Sequence, residues 1–366
     1  MNEGLPVGID GYRLPVLRLM DGDGDIDPDL CRALAEEIAR RGLRPLTIRL
    51  PSDERPASGR DLFRGALRLT GVDCLELSCS PDVPTHEFSA AAWSLSLFAD
   101  LCQRYDIVLA TGDWDLPLNT LLIATDVAAD PASDNHLRIA DPAWGADRVA
   151  DLLISWLEVL CLQVPVWACV LIGGKSSRMG QPKHLLRADG GRTWLELTVA
   201  RLQPLVEEVV LVGAGHIPPE LSDLVRVPDV PGVAGPLAGI LAAMRWQPGV
   251  SWLLVACDMP LLTEEAIRWL LDARRPGRWA VIPRRSRDSH VEPLLACYDR
   301  RCLIWFEELR LTGSLRIGMV ARRPQVHSPV IPAGYLPAWN NVNTPQELEL
   351  LSGSAAMQGK SGNNGP

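Results

Sequence analysis

Short β-type apolar runs alternate with helical periods along the whole chain, and that alternation predicts an α/β architecture with mostly parallel strands. In the first half, Leu14 to Met20, Pro45 to Leu50, Val72 to Leu77, Asp106 to Thr111 and Leu121 to Thr125 read as strands, and Pro28 to Arg41, His86 to Tyr105 and Gly145 to Leu160 as helices. In the second half the strands are Trp167 to Ile172, Glu208 to Val212, Trp252 to Cys257 and Trp279 to Pro283. Helices are expected between them near Thr193 to Leu205, Pro236 to Trp246 and Thr263 to Arg274. One helical pattern stops at Leu162-Gln163 and Pro165 precedes a fresh strand, which marks a seam. The 366 residues suffice for two cores. The expectation is a smaller α/β domain over 1–162, a second domain over 166–351 and a small, polar, glycine-rich tail, 352–366, that is disordered.

Composition narrows the function classes. A net charge of -9 lacks the basic footprint of a nucleic-acid-binding protein. The N-terminus has no basic region followed by an apolar stretch, and no segment reaches the roughly 18 apolar residues of a membrane helix, so a cytoplasmic protein without a membrane partner is expected. Nine cysteines, scattered and without a C-x-x-C pair, read as reduced and mostly buried thiols. Lysine occurs at three positions only, Lys175, Lys183 and Lys360, with arginine carrying the rest of the positive charge. Two of the three fall in one glycine-rich loop, where a compact ammonium suits phosphate oxygens.

That loop follows a buried strand in VWACVLIGGKSSRMGQPKHLL, from Val166 to Leu186. Gly173-Gly174 let the backbone approach a ligand and turn consecutive N–H groups toward an anion, and Arg178 and Lys183 add the charge that a triphosphate requires. Farther on, the apolar run from Ser251 to Cys257 ends in Asp258, a carboxylate at the C-terminal mouth of a strand, where α/β proteins bind ligands and where one carboxylate can hold Mg²⁺. Asp258 could also merely cap the loop before Pro260. Gly235-Pro236-Leu237-Ala238-Gly239 precedes a helix and could line a nucleotide pocket or serve close helix–strand packing. Thr344-Pro345-Gln346-Glu347 reads as a capping box.

These motifs resemble, in order, those of the MobA-like nucleotidyltransferases, the molybdenum-cofactor guanylyltransferase family. The signature L-x-G-G-x-S-x-R-M-G-x-x-K is matched by Leu171, Gly173, Gly174, Ser176, Arg178, Met179, Gly180 and Lys183, with Ile172 where the family has alanine. The glycine-rich segment 235–239, Cys257-Asp258-Met259-Pro260 and Asn341-Val342-Asn343-Thr344-Pro345 follow, so the likeness spans about 166–351. It implies a Rossmann-like nucleotidyltransferase domain with GTP and molybdopterin as substrates and Mg²⁺ as cofactor. It assigns nucleotide binding to Leu171, Ile172, Gly173, Gly174, Lys183, Asp229 and Asp258, catalysis to Arg178, Lys183 and Asp258, the metal to Asp258, and places Asn341 and Asn343 near the reacting phosphates.

The implied reaction is attack of the terminal phosphate of molybdopterin on the α-phosphate of GTP, with pyrophosphate leaving. No G-x-S-x-G or H-E-x-x-H motif offers a protein nucleophile or a zinc site. A CTP-dependent cytidylyltransferase of the same cofactor pathway, a sugar-phosphate nucleotidyltransferase and a non-catalytic maturation chaperone are the rival readings. In the first half, Asp106 to Asn119 and the strand after it resemble MobB, the GTP-binding adaptor of the same synthesis. Where MobB-type proteins carry a P-loop, however, this chain reads Asp21-Gly22-Asp23-Gly24-Asp25-Ile26-Asp27, with no lysine before Lys175. That half is expected to be a degenerate adaptor without nucleotide binding, docking a molybdoenzyme or a cofactor-synthesis protein.

Overall fold

The computed structural model describes residues 14–21, 24–49, 66–70, 72–76, 98, 100–112, 118–124, 137–173, 182–188, 190–342 and 346–347. The chain divides into two compact units, Met1–Gln163 with Arg275–Gly277, and Val164–Arg274 with Arg278–Pro366. The 352–366 tail, the capping box at Thr344-Pro345 and most of the helix expected over His86 to Tyr105 lie outside the described residues.

The first unit comprises β1 (Val16–Asp21), β2 (Gly24–Asp25), α1 (Pro28–Arg40), β3 (Pro45–Arg49), β4 (Ala66–Thr70), β5 (Val72–Glu76), β6 (Ile107–Thr111), β7 (Asn119–Ile123), β8 (Leu137–Ala140) and α2 (Ala146–Gln163). The sheet runs β4-β5-β3-β6-β1-β7-β8, with β2 beside β1. All pairs are parallel except β4 with β5 and β1 with β2. Leu17 and Leu19 face α1 and α2, while Val16 on the opposite face packs with Phe98 and Cys102.

The second unit comprises β9 (Val166–Leu171), α3 (Trp194–Leu202), β10 (Glu208–Val212), β11 (Arg226–Val227), α4 (Pro236–Trp246), β12 (Ser251–Ala256), α5 (Glu264–Asp272), β13 (Ala280–Val281), β14 (Leu295–Tyr298), α6 (Leu303–Leu311) and β15 (Val326–His327). Its strand order is β11-β10-β9-β12-β14-β13-β15. The first four strands are parallel, β14 is antiparallel to β12 and β13, and β15 runs parallel to β13. This is a Rossmann-like arrangement, a mostly parallel sheet with helices on both faces. Alternate residues go to opposite faces, as the pleat requires. Ala168, Val170, Leu253 and Val255 pack under α3 and α5, and Cys169, Trp252 and Leu254 under α4 and α6. Cover on both sides explains why these strands read as unbroken apolar runs.

The expected strand Trp279 to Pro283 contracts to Ala280–Val281. The helix expected over Thr193 to Leu205 ends at Leu202: Gln203 still has helical dihedrals and donates to the Val199 carbonyl, but Pro204 has no N–H with which to continue the ladder. Its start is a complete capping box, in which Glu196 N–H donates to Thr193 Oγ1 and Thr193 N–H to the Glu196 carboxylate. Among the described cysteines, Cys31, Cys102, Cys169, Cys257, Cys297 and Cys302 are buried and Cys161 is half-buried. No described helix is long and apolar enough to cross a membrane.

Candidate active site

Register alone brings the sequence motifs together. Leu171 pairs with Val212 on one side and Ala256 on the other, and Val212 pairs with Val227. The residues that leave these four parallel strands therefore emerge along one edge: Ile172-Gly173 after β9, Gly213 after β10, Asp229 after β11 and Cys257-Asp258 after β12. The chain winds from β9 outward through β10 and β11, then returns to β12 on the other side. The β9 end is thus a topological switch point, the place where open α/β sheets bind ligands.

Lys183 reaches this edge from a short 3-10 turn, Lys183–Leu185, and its Nζ lies 2.9 Å from Asp258 Oδ2. The two side chains are only 16% and 17% exposed. Val342 N–H donates to the Asp258 carbonyl at 3.0 Å, which brings the Asn341 segment to the same strand end. Asp258 Oδ1 and Asn341 Oδ1 are buried and have no hydrogen-bond partner among the described residues. Arg201 of α3 donates to the Pro260 carbonyl at 3.0 Å and braces the loop that carries Asp258.

Asp229 stands beside the start of the glycine loop. A Cβ built on Gly173 would lie 3.6 Å from Asp229 Oδ2, and one on Gly239 3.4 Å from Oδ1. Partial withdrawal from water pushes the Asp229 carboxyl above its ordinary value. Gly239 answers the question left by its motif, since a Cβ there would meet Leu171 Cδ2 at 2.5 Å. It serves close packing of α4 on β9, while Gly235, at φ 70°, supplies the turn into Pro236 at the first helical position.

Leu171, Ile172, Gly173, Lys183, Asp229, Asp258 and Asn341 therefore share one edge of the sheet. Gly174, Ser176, Arg178, Met179, Gly180 and Asn343 lie outside the described residues. The structure adds a segment that the sequence reading passed over, Gly213-Ala214-Gly215-His216. A Cβ on Gly215 would sit 2.2 Å from the Ile172 carbonyl and 2.8 Å from His184 Cε1. His184 Nε2 is 2.7 Å from the His216 carbonyl, so that nitrogen carries the proton and donates. Arg226 donates to the Gly215 carbonyl at 2.6 Å. The G-x-G after a strand was the available signal, but a lone glycine pair more often marks an ordinary turn.

The family model described as MobA-like NTP transferase domain matches residues 168–326. A molybdenum cofactor guanylyltransferase of Rhizobium meliloti (strain 1021) is 37% identical over 196 residues, covering 50% of this chain and 88% of that protein. The chain belongs to the MobA-like NTP transferase family. As a member it is a nucleotidyltransferase. The molybdenum cofactor guanylyltransferase of Sinorhizobium fredii (strain NBRC 101917 / NGR234) is 34% identical over 204 residues, again covering 50% of this chain and 88% of that one. Among solved structures, molybdopterin-guanine dinucleotide biosynthesis protein A from Archaeoglobus fulgidus is 25% identical with a TM-score of 0.44, covering 52% of this chain and 99% of that chain.

Burial, partly offset by the bond to the His216 carbonyl, holds the His184 imidazole below its ordinary 6.5, and the charges of His216 and Arg226 act in the same direction as burial. Above 6.5 the ring is neutral in the folded and the unfolded chain, and its full stabilisation is present. As pH falls through 6.5 and then through the lower folded value, the unfolded chain takes up a proton that the fold resists, and stability is lost. Thermal melting across pH 8 to 5 is expected to show this loss in the wild type and a smaller one in His184→Gln; equal losses would remove His184 as its source.

Proposed function

We propose that the chain transfers GMP from GTP to the terminal phosphate of molybdenum-loaded molybdopterin, releasing pyrophosphate and forming molybdopterin guanine dinucleotide. The observation that carries this reading is the meeting of Lys183 and Asp258, at 2.9 Å, over the carboxyl ends of the parallel strands. The guanylyltransferases that match about half of this chain at 34% and 37% identity support the choice of GTP.

The chemistry needs no protein base. A phosphate monoester is already ionised at neutral pH, and its oxygen attacks the α-phosphorus of GTP. The bond from that phosphorus to the bridging oxygen breaks, and pyrophosphate departs with the electron pair. Cys257 is not a rival nucleophile, because burial, reinforced by the Asp258 charge, pushes its thiol up to about 12. The protein's work is positioning and charge neutralisation. Lys183 and Arg178 serve the phosphates with the amides of Gly173 and Gly174, while Leu171, Ile172 and Asp229 border the nucleoside side.

The residues present fit a divalent cation. Two buried oxygens, Asp258 Oδ1 and Asn341 Oδ1, are left without partners among the described residues, and hard cations take oxygen donors. Asp258 would hold Mg²⁺ with Asn341 beside it, and the bound ion would neutralise phosphate charge.

The N-terminal unit fits a MobB-like adaptor that has lost its nucleotide and docks a cofactor-synthesis protein or a target apoenzyme. Between β1 and α1, where a P-loop would stand, the described chain has β2 paired antiparallel with β1. The start of α1 is already taken by a carboxylate, since Asp29 N–H donates to Asp27 Oδ1 at 3.0 Å, and Pro28 offers no N–H at all. Calorimetric titration of the full chain with GTP is expected to saturate at about one site, lost in Lys183→Ala, by the one-site arithmetic of mass action. Two sites would contradict the loss of binding, and unimpaired cofactor delivery after deletion of 1–162 would contradict docking.

Purified protein with Mg²⁺ and molybdenum-loaded molybdopterin is expected to release pyrophosphate from GTP and not from CTP or ATP. Asp258→Ala is expected to lower that rate on the order of a thousandfold, several kcal/mol. Release from CTP alone would refute the guanylyl assignment, and near-normal turnover of Asp258→Ala would remove that residue from the site.

A further inference from the structure

Asn341 is held at the site by its chain neighbours. The segment Trp339 to Val342 is anchored at both of its ends. Trp339 is buried and its Nε1 donates to the Leu295 carbonyl at 3.1 Å. Val342 donates through its backbone to Asp258, and its buried side chain packs with Leu186 and Trp194, three residues beyond Lys183 and at the start of α3. One short strap thus touches the carriers of both charges. Asn341 lies inside it, and its buried amide oxygen lacks a partner among the described residues.

A single guanidinium fastens this strap from outside. Arg285 donates from Nη1 to Asn340 Oδ1 at 2.9 Å, from Nη2 to the Trp339 carbonyl, and from Nε to Glu292 Oε1 at 2.6 Å. The backbone from which it projects is held on two sides. Glu292 N–H donates to the Pro283 carbonyl at 2.8 Å, and Ile331 N–H to the Arg284 carbonyl at 2.9 Å. Arg284 bridges Val291 on one side and Val330 on the other. Glu292 fixes the direction of the fork, and the two remaining donors read two consecutive residues of the strap. A planar fork with several fixed donors can do this, whereas a lysine ammonium on a flexible stem cannot hold the three acceptors in the same plane.

We propose that Arg285 is a positioning residue for the cation site, clamping Trp339-Asn340 so that the Asn341 oxygen is presented beside Asp258. The proposal rests on the reading of Asp258 and Asn341 as a divalent-cation site. Arg285 touches neither nucleotide nor ion in this account and acts through the strap. Groups that orient metal ligands from outside typically change metal affinity by about 10- to 100-fold when they are removed.

The test is Mn²⁺ binding to the full chain in the presence of GTP, followed by loss of the free-ion electron paramagnetic resonance signal. Arg285→Met is expected to weaken Mn²⁺ binding about tenfold, the lower end for such groups, and Arg285→Lys to recover only part of it. Asn341→Ala should weaken binding similarly, and adding Arg285→Met to it should change little more, because both act through one oxygen. Melting temperatures of the variants separate this from a fold defect; if Arg285→Met melts early, Arg285→Lys, which keeps the charge without the fork, carries the comparison. Wild-type Mn²⁺ affinity in Arg285→Met, or a full additional loss on the Asn341→Ala background, would overturn the proposal. Mn²⁺ binding undiminished in Asp258→Ala would instead refute the cation site on which it rests.

Discussion

The ion pair between Lys183 and Asp258 is the constraint around which the second unit is arranged. Two charges 75 positions apart are held at 2.9 Å where little water reaches them, a state that is favourable only with good geometry and support around both partners. That support comes from separate elements. The 3-10 turn holds Lys183, with His184 next to it tied to the His216 carbonyl. The end of β12 holds Asp258, with Arg201 on its following loop and Val342 on its carbonyl. In a chain with three lysines among its 36 basic residues, the proposed function gives this ammonium both a carboxylate to neutralise and phosphate oxygens to serve.

The sheet makes this pair possible. Its parallel strands are buried on both faces, so their carboxyl ends are fixed by two cores rather than by the loops themselves. Loops that leave such ends can be rich in glycine without losing register. Gly215 and Gly239 use the missing Cβ for close approach, one to the Ile172 carbonyl and one to Leu171. Both contacts bring neighbouring elements down on the start of the glycine loop. The active edge is thus shaped by packing from beneath and from the sides.

Much of this was legible in the sequence. Glu208–Val212 and Pro236–Trp246 were readable to the residue, because an apolar run and a Gly-Pro helix start are strong local signals. The two-residue β11 and β15 are too short to show any alternation, and β13 reads as the longer run Trp279 to Pro283. Lys183, Asp229 and Asp258 were legible as candidates through ordered motifs, and parallel register explains why residues from four strands converge. The Gly213–His216 segment was passed over because its glycine pair has no charged neighbour of the kind that singled out Gly173-Gly174. Arg285 was invisible for a different reason: its partners at 292, 339 and 340 are joined by tertiary contact, which leaves no period or spacing to read.

The central claim is that the Lys183–Asp258 mouth is the cation-dependent nucleotide site. The most direct measurement is a crystal structure of the full chain grown with GTP and Mn²⁺, with the manganese located by its anomalous scattering. The account predicts one peak at the Asp258 carboxylate, with the nucleotide phosphates over Gly173 and Lys183. A peak remote from Asp258, with GTP bound elsewhere on the chain, would contradict it.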